Sequence, residues 1–78
     1  MSRQLYRSDW TMLRTLANIA VHLFAEHEGH LPDAREARDV EHDLYFRLNG
    51  QFPLSEIRKA IWRTIHHRKL AAAAPPPQ

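Results

Sequence analysis

The chain contains a short motif twice, and the two copies hold the only two glycines of the sequence. Residues 29–32 (Gly-His-Leu-Pro) and 50–53 (Gly-Gln-Phe-Pro) share the order glycine, polar, large apolar, proline. A glycine after a helix readily adopts the left-handed conformation that ends it, and proline fits the first turn of the next helix. The two motifs therefore divide the 78 residues into three helical segments.

Apolar residues recur in each segment with the period of a helix, and no segment alternates with the period of a strand. The sequence therefore predicts an all-α fold, a compact three-helix domain with helices over about 9–28, 32–48 and 55–72. Serine is a residue type favoured at helix N-caps, and we expect Ser8 and Ser55 to cap the first and third helices.

The predicted domain covers residues 8–72. We expect residues 1–7 to form a flexible N-terminal segment and residues 73–78, which are rich in alanine and proline, to form a flexible tail. Helix 1 carries an apolar arc of roughly 200°, so it should contact both other helices and form the centre of the fold. Its surplus apolar surface also favours self-association or docking on a larger partner.

Several function classes are excluded or disfavoured by composition. The absence of cysteine excludes disulfides, zinc–thiolate sites and thiol nucleophiles. Both glycines are expected to end helices, so no glycine-rich phosphate loop is available. The sequence has six histidines, but His27 points toward the apolar arc of helix 1 while His22 and Glu26 point away from it. We therefore expect a protein without catalytic activity, cofactor or bound metal.

The distribution of apolar residues indicates no membrane segment. The longest stretch without a charged residue, 15–25, is interrupted by Asn18 and His22, which a membrane span would disfavour. Residues 1–7 lack the apolar region of a secretion signal. We therefore expect a soluble, cytoplasmic protein.

The formal net charge of +2 conceals an uneven distribution along the chain. Residues 1–14 have three arginines and one aspartate, a net +2, whereas residues 15–54 have three arginines and seven acidic residues, a net −4. Residues 55–78 have five basic residues and one glutamate, a net +4. Helix 2 is therefore acidic and helix 3 basic, and the basic helix is the first candidate for binding an anionic partner.

Helix 3 is predicted to face the core with Ile57, Ala60, Ile61, Thr64 and Ile65. Its opposite side carries cationic, imidazole and aromatic side chains, namely Arg58, Lys59, Trp62, Arg63, His66, His67 and Lys69. Arginine and lysine neutralise phosphates, an aromatic ring can stack on an unpaired base, and histidines bind anions better once protonated. Our leading hypothesis is a nucleic-acid-binding regulator that contacts DNA or RNA through this face. For Trp62, a ring leaning back over Ile65 is the alternative.

The residues around the two glycines do not follow the pattern of a helix-turn-helix motif. Ala25 provides the small residue expected four positions before Gly29, but Arg35 lies where an apolar residue is required. Around Gly50 the corresponding positions hold Phe46 and Glu56, so both fail.

A second hypothesis concerns protein binding. Phe46 lies opposite the predicted core stripe of helix 2, among Arg35, Asp39 and His42, and exposed aromatic and arginine side chains are typical of interface hot spots. This pattern favours a small adaptor or inhibitor, of the kind that phages and mobile elements encode, that docks on a larger host protein. A homodimer in which acidic helix 2 meets basic helix 3 of the second subunit is compatible with either hypothesis.

Overall fold

The computed structural model describes the backbone of residues 7–73 and the side chains of residues 9–73. Three helices occur in order, α1 (Arg7–Glu28), α2 (Ala34–Arg47) and α3 (Leu54–Ala73), and no strand occurs within this range. The prediction of an all-α, three-helix fold is confirmed. Of the segments expected to be flexible, Arg7 and Ala73 are helical and the rest lie outside the described residues.

The two glycine motifs end helices as predicted. Gly29 has a φ angle of +80° and its N–H donates to the carbonyl of Ala25 at 2.8 Å, so it closes α1 in the left-handed conformation. After α2, two consecutive residues are left-handed, Asn49 at +52° and Gly50 at +74°. Such angles strain a residue with a Cβ atom, so glycine suits both turns, and asparagine is the side chain that tolerates the conformation best.

Helix α2 begins at Ala34, two residues later than predicted, because Asp33 forms its N-cap. The backbone N–H of Glu36 donates to Oδ1 of Asp33 at 2.8 Å, and the N–H of Asp33 donates to Oε1 of Glu36 at 3.1 Å. This reciprocal capping box also lowers the pKa of Asp33, chiefly because the backbone N–H of Glu36 stabilises the carboxylate. Pro32 therefore precedes the helix and is buried rather than opening it.

The predicted N-caps of the other two helices are wrong. Helix α1 already includes Ser8, and α3 begins before Ser55. The carbonyl of Pro53 accepts the backbone N–H of Ile57 at 3.1 Å. The hydrogen-bonding of α3 therefore starts at the proline, whose fixed φ angle is already close to helical.

The core is formed by one face of each helix and by Phe52 of the α2–α3 connection, and α3 lies at its centre. Its buried apolar residues are Leu13, Ala17, Val21, Ala37, Leu44, Phe52, Ile57, Ala60, Ile61 and Ile65. Helix α3 contacts both α1 and α2 more extensively than those two contact each other. The prediction that helix 1 forms the centre is therefore wrong, because only part of its apolar arc is buried and Met12, Ile19 and Leu23 remain about half or more exposed at 50%, 49% and 61%.

No helix within residues 7–73 combines the length and the hydropathy that a bilayer crossing requires. The longest two, α1 and α3, have 22 and 20 residues, but charged side chains are spaced along both.

The turn between α1 and α2 places His30 in an acidic environment. Its Nδ1 lies 2.9 Å from the carbonyl oxygen of Leu31, its Nε2 lies 3.8 Å from Oε2 of Glu36, and its ring meets Phe24 edge-on. The pKa of His30 is raised, first because the ring N–H donates to the Leu31 carbonyl and then because nearby carboxylates, Glu36 foremost, favour the protonated ring.

This raised pKa predicts a pH dependence of stability. His30 binds its proton more tightly in the folded state, so its contribution is complete below its ordinary pKa of 6.5 and is lost as pH rises through the folded value. As pH rises through the folded pKa of His30, we expect the free energy of unfolding to fall less in the His30→Asn variant than in the native chain. The reason is that asparagine keeps an N–H donor but does not titrate. Urea denaturation of the two proteins at about pH 5.5 and pH 8 measures the loss in each. Equal losses in the two proteins would contradict the coupling.

Candidate functional site

All seven residues predicted to bind nucleic acid lie on the exposed side of α3. Ile57, Ile61 and Ile65 are buried on the other side of the helix, and this burial turns the cationic residues outward. Trp62 is 38% exposed, so its ring is partly covered by the protein and partly accessible.

The seven residues do not form one contact surface. At about 100° per residue they spread over roughly half the circumference of α3, from Arg58 at one edge to His67 at the other. Lys59 and Arg63 face toward α1, where they line a groove, whereas Arg58 faces α2 and pairs with it. A single ligand strand therefore meets one part of this face rather than all of it.

The groove between α1 and α3, of about 490 Å³, is lined by Trp10, Arg14, Lys59, Ala60 and Arg63. We call it the basic groove. Trp10 is 37% exposed and Arg14 is exposed. The structure thus brings two predicted residues of α3 together with a tryptophan and an arginine of α1 that the sequence analysis did not place in the site.

Local sequence explains how α1 contributes to this groove. Trp10 and Arg14 are four residues apart and so lie on one side of the helix, next to the buried Leu13 and Ala17. The sequence carries two signals for them, the four-residue spacing of Trp10 and Arg14 and the net charge of +2 over residues 1–14. Their partners lie on another helix, and the periodicity of a single helix cannot show which residues face each other across a groove.

The cations of the basic groove differ in their partners. Among the described residues, neither Arg14 nor Arg63 has a carboxylate within ion-pair distance. The Nζ atom of Lys59 lies 3.6 Å from Oε1 of Glu56, a residue of the first turn of α3. The other oxygen of Glu56, Oε2, is buried without a hydrogen-bond partner in the described part of the chain. As far as the described residues show, the groove therefore offers two guanidinium groups without a carboxylate partner and one ammonium group shared with a carboxylate.

At the opposite edge of α3, Arg58 makes a structural contact. Glu41 of α2 is only 2% exposed, and its Oε2 accepts a hydrogen bond from Nε of Arg58 at 3.3 Å. Apolar periodicity places charged residues outside the core, so the burial of Glu41 is not predictable from the sequence of α2 alone. Since a buried carboxylate needs hydrogen-bond donors, Arg58 helps to hold α2 against α3 as well as contributing positive charge.

The histidines do not gather around a common point. His66 and His67 are exposed, and their ring centroids lie 6.2 Å apart. Nδ1 of His22 on α1 lies 3.2 Å from Nη2 of Arg68, and this contact joins α3 to α1. His22 also approaches Glu26 at 3.8 Å. Within residues 9–73, no three His, Cys, Asp or Glu side chains are grouped so that they could hold a metal ion.

The residues predicted to bind a protein share the outer face of α2. Phe46 is 77% exposed, with only the edge-on ring of Tyr45 beside it among the described aromatic residues, and Arg35, Asp39 and His42 are exposed as expected. On α2, Nε of Arg47 lies 2.8 Å from Oδ2 of Asp43, four residues earlier, whereas Arg35 and Asp39, spaced in the same way, form no ion pair among the described residues.

Next to this face, α1 and α2 leave between them a groove of about 700 Å³. We call it the apolar groove; most of its lining is aliphatic or aromatic, from Leu16, Ile19, Ala20, Leu23, Phe24, Val40, Leu44 and Leu48, with His27, Asp39, Asp43 and Arg47 at polar positions. The surplus apolar surface expected on helix 1 is therefore found here, on the side away from the basic groove.

Comparison of the chain with protein-family models, with curated proteins and with solved structures gave no match.

The contrast between Arg58 and Arg63 generates a stability prediction. Replacing Arg58 with alanine leaves the buried Glu41 carboxylate without this donor, and we expect a loss of about 1–2 kcal/mol in the free energy of unfolding. Arg63→Ala removes an exposed side chain of the same helix that has no ion-pair partner among the described residues, and should change the free energy by less than about 0.5 kcal/mol. Urea denaturation distinguishes them, and equal effects would refute a structural role for Arg58.

Proposed function

We propose that this protein is a non-catalytic, cytoplasmic nucleic-acid-binding regulator whose phosphate contacts are centred on the basic groove between α1 and α3. The proposal rests on the position of Arg14 and Arg63, which lie on the two sides of one groove. Neither guanidinium group has a carboxylate partner among the described residues, and the groove also contains the partly exposed ring of Trp10. Guanidinium groups bind phosphate oxygens in a bidentate manner, and an aromatic ring beside them suits a base or a sugar.

The segregation of charge supports the same proposal. Residues 55–78 carry a net +4 and residues 15–54 a net −4, and no residue of α2 lines the basic groove. A polyanion is attracted to the basic groove and repelled by the acidic residues that lie away from it, Glu26, Glu28 and Asp33 around the α1–α2 turn and Asp39 and Asp43 on α2. The charge distribution therefore orients the protein as it approaches. The overall charge of +2 is small, and the attraction is therefore local to one side of the molecule.

Salt-dependent binding tests this proposal. We expect a fluorescent oligonucleotide of about 20 residues to bind at low ionic strength, with an affinity that falls steeply as salt increases, because binding releases counterions from the phosphates. The double variant Arg14→Ala/Arg63→Ala should bind about tenfold more weakly. The slope of its log affinity against log salt concentration should be shallower, by an amount that corresponds to the loss of about one to two phosphate contacts. Fluorescence anisotropy over a series of salt concentrations measures both quantities.

The matched control is Arg35→Ala/Arg38→Ala, which removes two exposed arginines of α2 and makes the same change in net charge. We expect it to retain nearly the native affinity. Equal weakening by both double variants would show a response to net charge alone, and the absence of binding at low salt would refute the proposal.

The apolar groove favours a second candidate function, docking on a protein. Its exposed side chains Ile19 and Leu23 lie beside Asp39, which has no cationic partner among the described residues. Asp43 of the same groove is paired with Arg47, so Asp39 is the carboxylate available to a partner. The occupant that complements this groove is an amphipathic helix with basic residues beside its apolar face. In this role the protein would be an adaptor or inhibitor, with Phe46 at the edge of the contact.

Model helices test this second candidate. We expect a synthetic amphipathic helix of leucine and lysine to bind the native chain more tightly than its leucine–glutamate counterpart, and the Leu23→Asn variant to lose about tenfold or more in affinity. Arg14→Ala, in the other groove, is the control and should bind the peptide as the native chain does. Isothermal titration calorimetry measures the affinities. Equal binding of both peptides, or no effect of Leu23→Asn, would contradict docking in this groove.

A further inference from the structure

We infer that the basic groove takes an unpaired nucleobase, so that the preferred ligand is single-stranded nucleic acid rather than a duplex. This inference rests on the proposed function and specifies its ligand. In the arrangement that we infer, a base enters the groove against the ring of Trp10 while Arg14, Lys59 and Arg63 contact the phosphates on either side.

The shape and lining of the basic groove suit a nucleobase. The groove encloses about 490 Å³, which lies within the range of roughly 300–1,000 Å³ typical of pockets for small ligands. Its lining combines the indole of Trp10 with the small side chain of Ala60, and the remaining three residues are cations. An apolar surface between cations suits the flat face of a base, which a double helix keeps stacked in its interior.

The cations of the basic groove lie on two different helices. Lys59 and Arg63 are one turn apart on α3, about 6 Å along the helix axis, and Arg14 lies on α1 on the other side of the groove. Phosphates before and after an inserted base can therefore be contacted from both sides. Backbone contacts of this kind together with an aromatic ring are the usual combination in proteins that bind single strands.

The connections between the helices differ in length from the turn of a motif that reads duplex DNA. A helix-turn-helix motif joins its helices through a turn of about three to four residues so that the second helix enters the major groove of a duplex. In this chain the connections are residues 29–33 and 48–53, which are five and six residues long. Both connections are longer than the turn of that duplex-reading motif.

Glu56 gives the inference a variant that should gain affinity. Its carboxylate shares the Lys59 ammonium group at 3.6 Å and has an oxygen, Oε2, that lacks a hydrogen-bond partner among the described residues. A phosphate must therefore compete with Glu56 for Lys59. Glu56→Gln removes the negative charge while keeping the size of the side chain, so it should increase the affinity for a single strand by about two- to fivefold.

The test uses the emission of Trp10 in the full chain with Trp62 replaced by phenylalanine, so that Trp10 is the only fluorescent tryptophan. A mixed-sequence 12-nucleotide DNA strand and the duplex of the same sequence are titrated at one salt concentration. We expect the single strand to quench Trp10 and to bind about tenfold more tightly than the duplex, because stacking on an indole contributes about that much per base. The Glu56→Gln variant in the same background should bind the single strand more tightly.

The outcomes separate this inference from the proposed function. Duplex binding that equals or exceeds single-strand binding, with the emission of Trp10 unchanged, would overturn the inference and leave the proposed function standing. If Glu56→Gln binds the single strand no better than its parent, Lys59 is not a phosphate contact in the groove and the inference fails. If neither ligand binds at low salt, the inference and the proposed function both fail.

The Trp10→Leu variant, checked for helicity by circular dichroism, should weaken single-strand binding about tenfold while leaving duplex binding nearly unchanged. Equal weakening of single-strand and duplex binding would also overturn the inference.

Discussion

The burial of one stripe of α3 between the other two helices is the constraint on which the rest of this molecule depends. Ile57, Ile61 and Ile65 are each at most 1% exposed, and full burial of such a side chain stabilises a fold by about 1.5–3 kcal/mol. In a domain this small few other residues can replace that contribution. Because α1 and α2 both pack on this stripe, they contact each other less, and a groove remains open on each side of α1.

The same packing determines which charges are available. With one side of α3 in the core, its cations face outward, and the two edges of the helix then meet different neighbours. At the α2 edge, Arg58 contacts the buried Glu41, so part of its positive charge is balanced within the fold. At the α1 edge, Arg63 meets Trp10 and Arg14 without a carboxylate partner among the described residues. The uneven charge of the sequence thus becomes a cationic groove on one side of the molecule.

Local sequence was sufficient to predict the three helices, their glycine turns, the outward face of α3 and the exposure of Phe46. These features depend on periodicity and on backbone preferences that each segment has by itself. The starts of the helices were predicted less well, because proline and serine were preferred as start residues while the Asp33–Glu36 capping box, a readable pattern, was overlooked.

Features that depend on contact between helices could not be predicted in this way. The burial of Glu41 follows from Arg58 reaching it from another helix, seventeen positions away in sequence. The grouping of Trp10 with Arg63 follows from the packing angle of α1 on α3, and that angle cannot be predicted from the sequence of either helix alone. The central position of α3 was missed for a related reason: α1 has the wider apolar arc, but part of that arc lines an open groove instead of the core.

The central claim is that one binding surface is formed by α1 and α3 together, and chemical-shift mapping tests it most directly. Amide and indole N–H resonances of the isotope-labelled full chain would be followed during titration with a 12-nucleotide single strand at low salt. The account predicts that the largest shifts occur at residues 10–14 and 59–63 together, including the indole N–H of Trp10. Shifts confined to α2 or to the apolar groove, or shifts on α3 without any change at Trp10, would contradict it.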